Sequence, residues 1–184
     1  MAEEQILVIQ LRQLGDIMLT TPCLRAIKRQ RPRARLTFLS HAMGKMVLDD
    51  CPHLDEHFFY DADPTKLDEW RLAMTIRERR FDLVLDFMNN PRSAFYAFTS
   101  GAPRRIAFSS ARRAAYTETV TRPSAPRYIV RDKFEMLTAA GFEPTDERLV
   151  LPWFEGHTKP LFKLIGEEPN FREANVRIVL SPTH

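Results

Sequence analysis

The residues best placed to do chemistry are Arg12-Gln13-Leu14-Gly15-Asp16, which directly follow the run Ile6-Leu-Val-Ile-Gln-Leu11. That run is nearly continuous, apolar and rich in β-branched residues, the composition of a strand buried on both faces of a parallel sheet. In open sheets of this kind ligands sit outside the carboxyl ends of the strands. Asp16 stands there, with Gly15 permitting a tight turn before it. Two roles are open to its carboxylate. It can cap the helix that follows, or it can face a cleft and take a proton from a substrate. The loop is not a dinucleotide fingerprint, because Gly15 is its only glycine, and no GxxxxGK[ST] phosphate loop occurs in the chain.

Other reactive residue types are weaker candidates. Asp61-Ala62-Asp63 has the spacing by which some transferases hold a metal-bridged diphosphate, but a strand before it and Pro64 after it favour turn and cap roles. His53 and His57 are four apart, yet Pro52 and the following strand keep them off one helical face, and His41 and His157 stand alone at the expected surface. Cys23 and Cys51 form no CxxC pair, which argues against zinc or a disulfide framework and fits a reducing compartment. No metal site and no cofactor are expected. Arg92-Ser93 opens a helix after the fourth strand, on the same sheet edge as Asp16. There it either grips carboxylates or phosphates or is an ordinary solvated pair. Arg104-Arg105 and Arg112-Arg113 would extend that basic rim, or meet an anionic leaflet. Phe95, Tyr96 and Phe98 read as core packing rather than an acyl-chain groove.

The elements that must position these residues follow from periodicity. Strands are expected at 36–40, 56–60, 82–87 and 105–108. Helices are expected from Asp16 or Thr21 to Gln30, at 43–50, 64–80, 93–100 and 128–140, the last stopped by Gly141. Alternation at this spacing means a Rossmann-like α/β parallel sheet with helices on both faces. Residues 112–127, with Pro123 and Pro126, read as a surface loop. Residues 152–169 read as a linker with a brief helix, and Val176-Arg-Ile-Val-Leu180 as a buried strand. That strand either opens a second α/β domain or completes the first sheet.

The 184 residues carry 27 Lys and Arg against 24 Asp and Glu, an excess too small to argue for nucleic acid. Only six of the basic residues are Lys, so the rest are Arg, the better side chain for bidentate grip on anions. The acidic start, Met1-Ala-Glu-Glu4, reads as no signal peptide, and no apolar run approaches the ~20 residues of a membrane helix.

The stretch from Ile6 through Leu-Arg-Gln-Leu-Gly-Asp16 and Thr20-Thr-Pro-Cys-Leu-Arg-Ala-Ile-Lys28, with Pro32, Ala34 and Leu36-Thr-Phe-Leu39, resembles the amino-terminal signature of glycosyltransferase family 9. These are the ADP-heptose:lipopolysaccharide heptosyltransferases, and Leu-Arg-Gln-Leu-Gly-Asp is most similar to the heptosyltransferase III type. Asp55–Asp61, Phe81–Asp86 and Tyr128–Gly141 agree along the chain. The resemblance implies a two-domain GT-B enzyme whose amino-terminal half receives a lipid-linked saccharide acceptor and whose other half binds the sugar nucleotide ADP-heptose. It implies Asp16 as general base in an inverting, metal-independent transfer to the lipopolysaccharide inner core. Arg12 and Gln13, where some members carry small serines, would then contact substrate beside Gly15, and Ser181 and Thr183 would begin a donor-phosphate loop.

The expected organisation is an acceptor-binding domain over 1–155, a linker over 156–175 and the first strand of a truncated donor domain over 176–184, inactive alone. The expected location is cytoplasmic, with peripheral contact at the inner membrane. A non-catalytic module that binds an anionic saccharide is the alternative.

Overall fold

The computed structural model describes residues 3–60, 64–110, 112–125 and 127–150. Expectations for Asp61 and Asp63, His157, the linker, the 176–180 strand, Ser181 and Thr183 lie outside those residues, as does the proposed division of the chain.

Six parallel strands form one sheet: β1 (Gln5–Ile9), β2 (Arg35–His41), β3 (Glu56–Tyr60), β4 (Leu83–Asp86), β5 (Arg104–Phe108) and β6 (Glu118–Val120), in the order β3-β2-β1-β4-β5-β6. The helices are α1 (Leu14–Met18), α2 (Thr21–Gln30), α3 (Lys45–Leu48), α4 (Lys66–Glu78), α5 (Pro91–Thr99) and α6 (Ile129–Ala139). The sheet is buried on both sides because successive residues of β1 point to opposite faces. Ile6 and Val8 pack with Leu24, Ile27 and Phe38 and with Val130 and Leu137 of α6. Leu7 and Ile9 pack with Ala73 and Ile76 of α4 and Tyr96 and Ala97 of α5.

The start of α2 answers the question left by Pro22. The helix begins at Thr21 with Thr20 in the cap position, and Pro22 sits in the first turn, where an amide would lack an intrahelical partner. Gly141, at φ 92°, ends the α6 region as expected. Beyond it the chain runs back along α2. Arg25 donates to the carbonyls of Asp146 and Arg148 and pairs with the Asp146 carboxylate at 3.0 Å, and Val150 N donates to Thr21 Oγ1.

Two expectations are corrected. Residues 112–127 are not only loop, because Glu118–Val120 pairs with Ile106–Phe108 as a short edge strand. The α5 aromatics are not all core. Tyr96 is fully buried, whereas Phe95 is 36% and Phe98 60% exposed, as the helix turns only one face to the sheet.

At the end of β4 the fully buried Asp86 shapes the next turn. One carboxylate oxygen accepts from the amides of Met88 and Asn89, both at 2.9 Å, and the other from the Tyr116 hydroxyl at 2.6 Å. Burial pushes the Asp86 carboxyl above its ordinary value, while these donors pull it back. Tyr116→Phe removes a donor from a buried carboxylate. It is expected to destabilise the fold by about 1–3 kcal/mol, read from the midpoint of urea unfolding.

Candidate active site

In this strand order the crossovers from β1 and β4 leave in opposite directions, so the loops after these two neighbours part and open a crevice at their carboxyl ends. The first loop carries Arg12 to Asp16, and the second runs from Phe87 to Asn90. Gln10 joins them, its amide nitrogen lying 3.3 Å from the Arg12 carbonyl and 3.4 Å from Met88 Sδ.

The local conformation differs from the expected tight glycine turn. Gln13 takes the positive φ, 62°, and precedes α1 without a side-chain cap. Asp16 is the third residue of α1, so it is not the helix cap. Gly15 lies within α1, and a Cβ added there would meet nothing within 4 Å. Its missing side chain therefore leaves open space beside Asp16 rather than permitting the turn. A non-glycine residue at positive φ costs roughly 1–3 kcal/mol, and such strain collects at functional sites. Asn89, at φ 51°, is a second instance, on the neighbouring loop.

The Asp16 carboxylate is half-buried, and among the described residues it accepts no hydrogen bond. Its backbone carbonyl is firmly held. Thr20 Oγ1 donates to it at 2.7 Å, and Lys133 Nζ from α6 lies at 3.4 Å from it and 2.8 Å from Thr20 Oγ1. Thr21 Oγ1 donates to the Met18 carbonyl at 2.8 Å. The Gly-Asp…Thr-Thr-Pro pattern thus has a mechanical meaning. The threonines tie α1 to the start of α2, and Pro22 opens the helix that carries them.

A further close approach supports α1. Gly44 follows β2 against Ser40 and Ile17, where an added Cβ would overlap the Ser40 side chain. Ser40 Oγ lies 2.8 Å from His57 Nε2, and Asp49 is 3.6 Å from the other ring nitrogen. Burial holds His57 below its ordinary pKa, against the pull of Asp49. Ser40 is fully buried, so this trio braces the loop after β2 and presents no nucleophile.

The remaining candidates divide. Arg12, Gln13 and Gly15 are exposed beside Asp16. Arg92 Nε pairs with Glu69 of α4 at 2.7 Å, so its charge is partly matched within the protein. Ser93 is buried and completes a reciprocal cap with Asn90, which removes it as a substrate contact. Arg104 and Arg105 begin β5, at the amino end of the sheet, and do not extend the rim around Asp16. Arg104 binds Glu118 and the last carbonyls of the α6 region instead. Arg112 and Arg113 follow β5 on the same edge as Asp16. His41 caps a short 3-10 turn by accepting from Met43 N. No group of acids, His and Cys among the described residues is arranged to hold a metal. A hollow of about 700 Å³ lies among Met74, Arg77, Asp82 and Gly101. It opens at the amino end of the sheet, away from Asp16.

Lys133 escaped the sequence reading. It is 3% exposed, and burial lowers it from the ordinary lysine value to about 8. Its signal was present: three residues after Val130 and four before Leu137, it falls on the apolar stripe of α6, where a lysine must find buried acceptors.

The fold is thus a Rossmann-like α/β domain with an acid at its switch point. It is shared with solved glycosyltransferase structures. A glycosyl transferase family 9 protein from Veillonella parvula aligns at 19% identity with a TM-score of 0.69, covering 89% of this chain and 49% of that one. ADP-heptose lps heptosyltransferase II from E. coli aligns at 22% identity and a TM-score of 0.62, covering 80% and 45%. E. coli heptosyltransferase WaaC, solved with ADP, aligns at 11% identity and a TM-score of 0.69, covering 82% and 52%. The chain spans about half the length of these structures. No family model and no curated protein matches the sequence.

The buried Lys133 makes stability depend on pH. Its midpoint of about 8 in the folded chain lies below that of an unfolded lysine, so between the two values the unfolded chain binds more protons. The burial cost is therefore fully present below about pH 8 and is relieved as pH rises through it. Relative to Lys133→Met, the wild-type chain should gain about 2 kcal/mol of stability between about pH 7 and 9.5, measured by urea titration at each pH.

Proposed function

We propose that the chain is the acceptor-binding half of a GT-B glycosyltransferase of the family 9 type. The enzyme transfers heptose from ADP-heptose to a hydroxyl of the lipopolysaccharide inner core, by an inverting, metal-independent reaction. The observation that carries this reading is the Asp16 carboxylate. It lies at the switch point on a loop fixed from behind, and no hydrogen bond from the described residues occupies it. The acceptor oxygen attacks the anomeric carbon and the bond to the diphosphate breaks. The hydroxyl proton passes to Asp16, and ADP leaves with the bonding pair. Arg12, Gln13 and the open surface at Gly15 contact substrate, and Arg112 and Arg113 add positive charge on the same edge for an anionic saccharide.

The donor side belongs to residues beyond the acceptor half, with Ser181 and Thr183 at the start of a diphosphate loop. WaaC has been solved with ADP and with ADP-2-deoxy-2-fluoro heptose, which supports a sugar nucleotide as donor. In this reading the acceptor half by itself is inactive, because the other half binds the donor. No helix among the described residues is long and apolar enough to cross a membrane. Contact with the cytoplasmic face of the inner membrane is peripheral. The exposed Trp70 of α4 and Phe98 of α5 support it, since aromatic side chains favour the lipid–water interface.

A second reading is a module that binds an anionic saccharide without turnover, supported by Arg12, Arg112 and Arg113 at the carboxyl end of the sheet. Both readings expect the 184-residue chain to bind core saccharide and not ADP-heptose in calorimetry, and donor binding would overturn this assignment of the halves. Turnover separates them. In the protein carrying both halves, Asp16→Asn should lower transfer about 10²–10⁴-fold with saccharide affinity unchanged. Undiminished transfer removes Asp16 as the base.

A further inference from the structure

We infer that Lys133 is a positioning residue for Asp16: from α6 it anchors both ends of the loop that carries the carboxylate. The consequence for transfer rests on Asp16 being the base, whereas the anchoring of the loop does not.

The geometry is a tripod. The ammonium has three oxygen acceptors, Thr20 Oγ1 at 2.8 Å, Gln10 Oε1 at 3.2 Å and the Asp16 carbonyl at 3.4 Å, and the Phe87 ring lies 5.0 Å away. Two of these partners pass the grip on to the loop. Gln10 donates its amide to the Arg12 carbonyl, and Thr20 donates its hydroxyl to the Asp16 carbonyl. One side chain on a distant element thereby fixes the first and last residues of Arg12–Asp16.

The tripod contains no carboxylate. An ammonium buried in this way costs stability that a methionine of similar length would not. What the lysine adds is donors and charge. The charged and titratable groups that face it are Asp16 from α1, Cys23 from α2 and Arg122 from the segment after β6. Burial pushes the Cys23 thiol up to about 12, so it stays neutral. Arg122 stands over the Phe108 ring and 3.9 Å from Asp132. When Lys133 loses its proton, at mildly alkaline pH, it loses one of its three donors, and the loop loosens.

The test is amide exchange and carbon NMR on the 184-residue chain, following the amides of residues 12–20 and Lys133 Cε across pH 6 to 9.5. In the wild type, exchange over residues 12–20, corrected for its intrinsic pH dependence, should quicken at the pH where Lys133 Cε titrates. In Lys133→Met that step should vanish and exchange over these residues should be about tenfold faster throughout. In Lys133→Arg, which keeps the donors but does not titrate in this range, the step should vanish with protection retained. Wild-type protection unchanged through the Lys133 titration overturns the proposal without any variant, as does undiminished protection of residues 12–20 in a folded Lys133→Met. Full transfer by Asp16→Asn would instead remove the base role while leaving this anchoring intact.

Discussion

Strand β1 lies between β2 and β4, paired to both and buried on both faces, and the geometry of the site follows from that placement. Its ladder continues past its last residue: Gln10 N donates to the Leu39 carbonyl, Phe87 N to Ile9, and His41 N to Leu11. The backbone is therefore held until the point where the chain must leave the sheet. Leu11 is still fully buried, whereas Arg12 is exposed, so the transition takes one residue. A chain so constrained has little choice of exit, and the sharp change of direction falls on Gln13. The positive φ at a glutamine is the local cost of bringing α1 back over the sheet so soon.

A five-residue helix cannot stabilise itself, because its backbone ordering costs more than its few internal hydrogen bonds return. The neighbours of α1 supply the difference. Ile17 is buried in the core beneath it, Gly44 allows the segment after β2 to approach closely, and Thr20 and Lys133 hold its carbonyl from α2 and α6. Each contact comes from a different element. The position of the acid is thus a property of the assembled domain rather than of the loop sequence.

That division explains what was legible in the residues. Strands β1 to β5 and helices α2 and α4 to α6 announce themselves, because buried parallel strands are continuous apolar runs and long helices show a 3.6-residue stripe. The stop at Gly141 and the α2 start near Pro22 are chemical signals of the same local kind. β6 has no such signal: three half-buried residues become a strand because β5 offers a free edge. The position of Asp16 was legible, but its place inside α1 was not, since the contacts that hold its carbonyl include Lys133, 117 residues away. Ser93 misled for a related reason. A serine at a helix start near a strand end fits anion binding or capping equally well, and only Asn90, three residues earlier, decides for the cap.

The arginines show how the two ends of the sheet differ. At the amino end Arg104 is locked to Glu118 at 2.9 Å and to the carbonyls of Ala139 and Ala140, where the α6 helix dipole is negative. On the outer helices Arg92 is matched by Glu69. At the carboxyl end Arg12 and Arg113 are exposed and enter no ion pair among the described residues, and Arg112 contacts the Asn89 carbonyl. Positive charge left uncompensated beside a crevice raises the local concentration of anions and orients them as they arrive. In the proposed reaction a base at this position needs two things, an anionic partner drawn in and a carboxylate held in place. Lys133 and Thr20 supply the second by holding the Asp16 carbonyl, and the arginine rim is placed to supply the first.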